Sequence, residues 1–272
     1  MAADTSHNTP LHDAAYLGHQ QTLRDLLASH EYQVNCTNSE DKTPLHLACH
    51  KGHIDVVNTL LCEFGADVNS RECENDTPLN KAALGGHTDI VHVLITEFGG
   101  SPQVRGFEGR TLLHQACEGG HLKLVERLVS KFECDPMAVS DTGDPPLHVA
   151  VEAGHKEVAR ELISRCKCPV DCRNQDNMTP LHIASYNGHL SVVRMLLSEF
   201  GTDVNSQDSA NAFPLHMAAL GGHTDVVSAL ITEFGCSPQV RDFEGRTLLH
   251  YACGGGNLEL VEKLGDSKRA DY

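Results

Sequence analysis

The apolar positions of this chain recur at a fixed interval of 34 residues along nearly its whole length. In each interval a leucine is followed three residues later by an alanine and seven residues later by a glycine, and a second leucine comes eight residues after the glycine. The first leucines are Leu11, Leu45, Leu79, Leu113, Leu147, Leu181, Leu215 and Leu249, and the second are Leu26, Leu60, Leu94, Leu128, Leu162, Leu196, Leu230 and Leu264. A fixed period of this length is typical of a solenoid, in which each unit buries its apolar face only against its neighbours.

Each interval predicts two short helices. In the second interval, Thr43 supplies an N-cap hydroxyl and Pro44 stands at the first helical position, where a missing N–H costs nothing. The leucine and alanine, three residues apart, lie on one face of this helix. The glycine ends it with a left-handed backbone. A second helix follows, because its apolar residues have helical spacing, as in Val56, Val57, Leu60 and Leu61.

A tight turn is predicted four residues before each first leucine. Every residue there is of a type that tolerates positive φ, namely His7, Asp41, Asn75, Gly109, Gly143, Asn177, Asn211 and Gly245.

The motif Thr-Pro-Leu-His-x-Ala-x-x-x-Gly-His is clearest at residues 43–53 and 179–189, and it resembles the ankyrin repeat over residues 8–264. The resemblance implies an all-α solenoid of stacked helix-turn-helix units, with β-hairpin fingers at the tight turns. It implies a single ankyrin-repeat domain over residues 1–272, since no linker interrupts the repeats. The eight units are approximately 7–40, 41–74, 75–108, 109–142, 143–176, 177–210, 211–244 and 245–272.

Histidine and cysteine are abundant, but most of them follow the repeat. Fourteen of the 18 histidines come directly after the first leucine or after the glycine, where the resemblance implies that they hydrogen-bond the turns and join adjacent units. The best metal candidate is Cys166, Cys168 and Cys172 with His148 and His155, but it lacks the second close cysteine pair of a typical zinc site. We therefore expect no metal. The chain has no phosphate-binding or nucleophile motif, so we expect no cofactor and no enzymatic activity.

The cysteines are expected to be reduced thiols. Cys49, Cys117 and Cys253 follow the repeat alanine and are predicted to be buried as small apolar side chains. The count of 11 is odd, and the N-terminus has no secretion signal. These features place the protein in the cytoplasm, with the nucleus as the alternative.

The composition restricts the class of partner. The net charge of −16 argues against nucleic acid, which is bound mainly through Lys and Arg. It favours a basic protein partner, although the acidic residues could equally serve solubility. No apolar run is long enough to insert into a membrane. We expect a monomer.

Two irregular features of the repeat yield further expectations. An extra residue after the second helix places a phenylalanine at an equivalent position in five units, at Phe64, Phe98, Phe132, Phe200 and Phe234, which we expect to fill the core at the helix end. The last unit contains three consecutive glycines, and its second helix is predicted to stop at Leu264, so this unit should be the least stable.

The candidate partner-binding residues lie where repeats differ, at the finger tips and at the ends of the first helices. Two tips place an aromatic residue between arginines, the types that dominate binding hot spots. These are Arg105, Phe107 and Arg110, and Arg241, Phe243 and Arg246; the helix ends contribute His50, Lys51, Tyr186 and Asn187. The alternative is that each Phe folds back over its own hairpin while the Arg pairs with the adjacent Glu.

The sequence thus predicts a non-enzymatic scaffold or adaptor that binds its protein partner on the concave face and finger tips. Two alternatives stay open: a targeting module cut from a larger protein whose effector domain is absent, and a structural spacer.

Overall fold

The computed structural model describes the backbone of residues 7–270 and the side chains of residues 7–264. The chain forms two compact units, residues 1–141 and residues 142–272. The first unit contains α1 (Pro10–Leu17), α2 (Gln20–Ala28), α3 (Pro44–Lys51), α4 (Ile54–Asn58, continued by a π-helical turn over Thr59–Glu63), α5 (Pro78–Leu84), α6 (Thr88–Thr96), a 3₁₀ turn (Phe107–Gly109), α7 (Leu112–Glu118) and α8 (Leu122–Ser130). The second contains α9 (Pro146–Glu152), α10 (Lys156–Ser164), α11 (Pro180–Tyr186), α12 (Leu190–Ser198), α13 (Pro214–Leu220), α14 (Thr224–Thr232), α15 (Leu248–Gly254) and α16 (Leu258–Ala270).

Within each unit the helices form two layers. The first helices of successive repeats pack on one another, as α3 does on α1 and α5, and the second helices form the other layer. The repeat leucines and alanines lie between the layers, and Leu45, Ala48 and Leu60 are fully buried. The predicted all-α ankyrin-type stack is confirmed in both units.

The predicted backbone turns are also confirmed. All eight residues four positions before the first leucine have positive φ, from 45° at His7 to 79° at Gly143. The glycine that ends each first helix is left-handed as well; at Gly52, φ is 81°. Little regular strand forms in the fingers, since the described residues contain only isolated bridges, Arg105 with Thr111 and Arg241 with Thr247.

The histidine after the first leucine connects three segments of backbone. His46 Nδ1 accepts the N–H of Thr43 at 3.1 Å, and its Nε2 lies 3.1 Å from the carbonyl oxygen of Asp76 in the next finger. The threonine hydroxyl therefore serves mainly as a second donor to the ring, with Oγ1 2.9 Å from Nδ1, while its predicted N-cap bond from the N–H of His46 is long, at 3.5 Å. The same arrangement recurs at His12 and His182.

These contacts fix the protonation state of the ring. A backbone N–H can only donate and a carbonyl can only accept, so the imidazole is the neutral tautomer with its proton on Nε2. A second proton on Nδ1 would face a donor inside the core. Burial lowers the pKa of both His46 and His182 from 6.5 to about 4.

The histidine after the glycine joins adjacent repeats on the other side of the first helix. His87 Nε2 lies 2.9 Å from the carbonyl oxygen of His50, and its ring covers Gly52 so closely that a Cβ there would lie 2.4 Å from the ring. Glycine is therefore required twice at this position, for its φ and for the ring above it.

Two departures from this pattern change the hydrogen bonds of the buried ring position. Asn80 stands in place of the first histidine; its Oδ1 accepts the Thr77 N–H at 3.0 Å, but Nδ2 is buried with no hydrogen-bond partner among the described residues. The shorter side chain thus keeps the bond to its own cap and loses the bond to the next finger.

The second departure is compensated by a thiol. Pro145 has neither the N–H nor the hydroxyl that His148 Nδ1 would accept, and Cys172 Sγ lies 3.6 Å from that nitrogen instead. Since His148 Nε2 faces the carbonyl of Met178 at 3.0 Å, Nδ1 is the acceptor and the thiol donates. Burial raises the pKa of Cys172 to about 12, so the thiol keeps its proton.

Three expectations were wrong. The five phenylalanines after the second helices are half-buried instead of filling the core, because they lie at the ends of the second helices, next to solvent. Cys49 and Cys117 are buried as predicted, but Cys253 is exposed because no repeat follows it within the described residues. The last helix, α16, does not stop at Leu264 but continues to Ala270.

We predict that acid destabilises the fold through the buried histidines. Because the pKa of His46 and His182 is about 4 when folded and 6.5 otherwise, the unfolded chain binds more protons between these values. The free energy of unfolding should therefore fall as the pH drops below 6.5, by about 2 kcal/mol for each histidine between pH 7 and pH 5. Urea denaturation at both pH values measures this loss.

The matched control is the double variant His46→Asn, His182→Asn, which reproduces the natural Asn80 at two further positions. It should be less stable at pH 7 but should lose about 4 kcal/mol less than the wild type on acidification. An equal loss in both proteins would contradict the prediction.

Local unfolding is expected to begin in the last repeat. Gly254, Gly255 and Gly256 weaken the end of α15, and among the described residues this repeat packs on a neighbour only through its N-terminal side. Amide hydrogen exchange should be faster over residues 250–264 than over residues 181–200 of the same unit. Equal protection of the two segments would show that the glycines do not determine where opening starts.

Candidate functional site

The finger tips are closed loops of five residues. In the second repeat, the Asn38 N–H donates to the carbonyl of Lys42 at 3.1 Å. The side-chain oxygen of Asn38 accepts the N–H groups of Glu40 and Lys42, each at 3.0 Å. Glu72, Asn174, Asp208 and Asp242 perform the same role in their own fingers. An oxygen-bearing side chain at the start of the loop thus fixes the shape of each of these tips.

The Phe107 tip lacks such a side chain because its first residue is Gly106. Asp76 of the preceding finger replaces it, and its Oδ1 accepts the N–H of Phe107 at 2.9 Å. A Cβ on Gly106 would lie 1.8 Å from this oxygen, so only glycine admits the carboxylate. Phe107 is 41% exposed, so its ring is not part of the core.

A buried lysine holds Asp76 in place. Lys81 Nζ donates to Asp76 Oδ2 at 2.8 Å and lies 3.5 Å from Glu72 and 3.4 Å from Glu74. Lys81, Glu72 and Asp76 are each less than 10% exposed. Burial would lower the pKa of Lys81, but the carboxylates raise it, so the ammonium remains charged. An internal ion cluster therefore supports the backbone of the Phe107 tip.

The Phe243 tip is held by a different network. Its own Asp242 Oδ2 accepts from Tyr251 Oη at 2.8 Å and from Arg246 Nε at 2.6 Å. Burial would raise the pKa of Asp242, but these two donors hold it at about 2. The Phe243 N–H donates to the carbonyl of Ala210 in the preceding finger at 3.2 Å, and the ring is 64% exposed.

Arg105 and Arg241 are used inside the finger row. Arg105 Nη1 donates to the carbonyls of Gly109 and Val139, each at 2.7 Å, and so links its own turn to the next finger. Arg241 donates to the carbonyl of Gly245 at 2.8 Å. Arg71 and Arg173, at the same repeat position, make equivalent bridges. The repeat spacing of these four arginines could have indicated this structural role. In the sequence analysis we instead considered two of them, Arg105 and Arg241, and interpreted them as partner-binding residues.

The outer arginines of the tips pair with carboxylates. Arg110 lies 3.5 Å from Glu108 and 2.8 Å from Glu118. Arg246 lies 3.2 Å from Glu244, in addition to its bond to Asp242, and its guanidinium stacks 5.2 Å from the Tyr251 ring. Each tip therefore presents an exposed aromatic ring beside an outer arginine that is paired with carboxylates. The exposed ring agrees with the first alternative from the sequence, and the pairing of the arginine with the adjacent glutamate agrees with the second.

The helix-end candidates lie in both units. In the first unit, Lys51 Nζ lies 4.5 Å from the Tyr16 ring, and the neighbouring His50 is half-buried. In the second unit, Tyr186 is 46% exposed, whereas Asn187 Nδ2 donates to the carbonyl of Ile183 and caps its own helix. Whether any of these residues binds a partner stays a prediction.

Two equivalent depressions, five repeats apart in sequence, lie beside the fingers. The one in the first unit, of about 190 Å³, is lined by Lys42, His46, Leu47, His50, Lys81 and Leu84. The one in the second, of about 310 Å³, is lined by Asp208, Ala210, Met217, Leu220, Arg246, His250, Tyr251 and Gly254. The two differ in chemistry, because Lys81 in the first corresponds to Tyr251 in the second. Sequence reasoning missed both, although the variable residue two after the first leucine marks them.

Metal ligands come together at one place among the described residues, where Glu72, Glu74 and Asp76 could contribute one oxygen each. The ammonium of Lys81 lies among these carboxylates. Of the cysteine cluster suggested by the sequence, Cys172 contacts His148 as described above.

No helix in the described part of the chain has the length and apolar character needed to cross a membrane.

Comparison with known families gives one result. A family model described as "Ankyrin repeats (3 copies)" matches residues 2–72, 65–140, 113–208 and 200–272, and so covers nearly the whole chain. A search of curated proteins finds no match.

We predict that Lys81→Met destabilises the first unit by about 3–5 kcal/mol, because it leaves the buried carboxylates of Glu72 and Asp76 without their partner. Lys263→Met is the matched control, because Lys263 pairs with Glu259 on an exposed helix surface, where solvent screens the pair and its loss should change stability little. Thermal and urea denaturation of both variants provide the comparison. Similar losses would show that the buried cluster has no special role.

Proposed function

The chain belongs to the ankyrin repeat family, and from this premise we propose that it is a scaffold or adaptor that binds a protein partner through its finger tips and the adjacent ends of its first helices. Ankyrin repeats are in general modules for protein–protein interaction and are typically non-enzymatic. The proposal for this chain goes further, because it assigns the contact to particular tips.

The observation that carries the proposal is the exposure of Phe107 and Phe243. Each ring stands on a loop whose backbone is fixed by a neighbouring finger, through Asp76 in one case and Ala210 in the other. An aromatic side chain on a fixed backbone loses little conformational freedom on binding, which is the property of a good anchor residue. Burying a large apolar ring also contributes through the hydrophobic effect.

The chemistry of the tips indicates the kind of partner surface. The outer arginine beside each ring, Arg110 or Arg246, is paired with carboxylates, and the chain as a whole carries a net charge of −16. We therefore expect an apolar pocket for the ring on a partner that is basic around that pocket. The negative field would raise the rate of association at low ionic strength.

The proposal is tested with the double variant Phe107→Ala, Phe243→Ala. Proteins captured from a lysate by the wild-type chain, and lost with the variant, are the candidate partners. The affinity for a purified partner should fall by about 1–3 kcal/mol for each ring, with little change in melting temperature. Isothermal titration calorimetry and thermal melts measure the two effects.

The matched control is Phe98→Ala, Phe234→Ala, which removes the same number of rings from half-buried positions after the second helices of the same two repeats. This control is expected to lower stability and to leave the affinity of the folded protein unchanged. If the tip variant instead loses stability and keeps its affinity, the tips are part of the fold and the proposal is wrong.

A further inference from the structure

The second unit carries apolar side chains on the surface formed by its finger tips and first helices. We call this surface the apolar patch and define it by Met178, Ile183 and Tyr186 of the sixth repeat and Met217 and Leu220 of the seventh. Tyr186 is 46% exposed, and Met178, Ile183 and Leu220 are half-buried. The helices of these two repeats, α11 and α13, pack directly on each other. Their side chains therefore form one surface.

The equivalent residues of the first unit, 136 positions earlier in the sequence, are mostly polar. They are Lys42, Leu47, His50, Lys81 and Leu84, and they line one depression. Both units nevertheless form the same stack of helices. The fold therefore does not require the apolar residues that stand at three of these positions in the second unit, Met178, Tyr186 and Met217.

The charged residues around the apolar patch are acidic. The finger tips and first helices of the fifth to seventh repeats include residues 142–153, 174–187 and 208–221, and these segments contain no lysine or arginine. Their acidic residues are Asp144, Glu152, Asp176 and Asp208. The equivalent segments of the second and third repeats, in contrast, contain Lys42, Lys51 and Lys81.

Three of these carboxylates lie where they can reach a ligand on the apolar patch. Glu152 and Asp176 are exposed, and Asp208 lines the same depression as Met217 and Leu220. Arg246 also reaches this depression from the eighth repeat, but its guanidinium pairs with Asp242. The surface is therefore apolar at its centre and negative at its edge.

We propose that the apolar patch binds a partner segment that carries large apolar side chains next to lysine or arginine. This assignment rests on the proposed function, since it takes the partner to be a protein, and it adds a surface other than the Phe107 and Phe243 tips. The apolar side chains of the segment pack on Tyr186 and fill the depression of about 310 Å³ beside Met217 and Leu220.

The side chains of the surface suit such an occupant. Methionine is unbranched and flexible, so Met178 and Met217 adapt to apolar groups of different shape, while Tyr186 supplies a rigid ring. The carboxylates of Glu152 and Asp176 attract the basic side chains and speed association at low ionic strength. An acidic segment would be repelled, and a purely polar one would lose its hydration without burying apolar area.

The probe for the test is a display library of random peptides that is panned against the full chain. We expect the enriched sequences to combine large apolar residues with lysine or arginine. One enriched peptide is then synthesised with a fluorescent label, and its affinity for the full chain is measured by anisotropy. A library that yields no enriched sequence, or only acidic or polar ones, would overturn the proposal.

The patch variant Met178→Lys, Tyr186→His introduces the residue types that the first unit has at Lys42 and His50. It should weaken binding of the peptide by at least about tenfold. Both side chains are partly exposed, so the melting temperature should change little. The control Met137→Lys makes the same change at a methionine that is 39% exposed outside the apolar patch, and it should bind as the wild type does. Equal affinity of the patch variant and the wild type would contradict the proposal.

The acidic edge is tested separately with Asp176→Asn. This variant should bind the peptide more weakly at low salt, and the difference from the wild type should shrink as salt screens the carboxylate. Asp89→Asn is the control, because the Asp89 side chain is 92% exposed on a second helix and lies outside the apolar patch. A loss that is the same at every salt concentration would show that charge does not select the peptide.

Two further measurements separate this proposal from its rivals. A peptide that binds the patch variant normally but fails to bind Phe107→Ala, Phe243→Ala would overturn the present proposal and leave the proposed function intact. Binding that neither variant weakens would count against both. Sedimentation velocity without peptide tests for a second copy on the apolar patch. Self-association of the wild type that is lost in the patch variant would show that the chain itself covers this surface, and the proposal would be wrong.

Discussion

The imidazole bridge between the start of a first helix and the next finger is the interaction on which the other features depend. A single ring accepts the backbone N–H of its own N-cap residue and donates to a carbonyl 30 residues further along the chain. In His46, Nδ1 accepts the N–H of Thr43 and Nε2 donates to the carbonyl of Asp76. Because the ring is rigid and neutral, it sets the distance between the helix layer and the fingers without burying a charge. The finger row, the depressions beside it and the orientation of the tips follow from that distance.

Much of this architecture could be predicted from the sequence, because it is set by local requirements that repeat. A glycine such as Gly52 and a turn residue such as Asn75 indicate their backbone conformation by residue type alone. Features that depend on which neighbour is present could not be predicted in this way. Cys253 has the same repeat position as Cys117, but no further repeat lies beside it among the described residues, so it is exposed. Phe98 follows a second helix and is half-buried at the end of that helix.

The candidate site was only partly predictable for a related reason. The sequence identified Phe107 and Phe243 as unusual tips, and both rings are exposed. The two tips are also alike in sequence, since residues 84–116 and 220–252 differ at only six of 33 positions. Two of those differences, Gly106 against Asp242 and Gln115 against Tyr251, are enough to give the tips different supports. Nearly identical loops are thus held by an external carboxylate in one copy and by an internal one in the other.

The thiol beside His148 makes the packing of this repeat depend on the chemical state of one cysteine. Pro145 offers no donor to the buried ring nitrogen, so Cys172 acts there as a hydrogen-bond donor and not merely as a small apolar residue like Cys49. Alkylation or oxidation would remove the S–H proton, leave a buried acceptor without this donor and add bulk inside the repeat. The packing of this repeat is therefore tied to a reduced thiol, although Cys172 forms no disulfide.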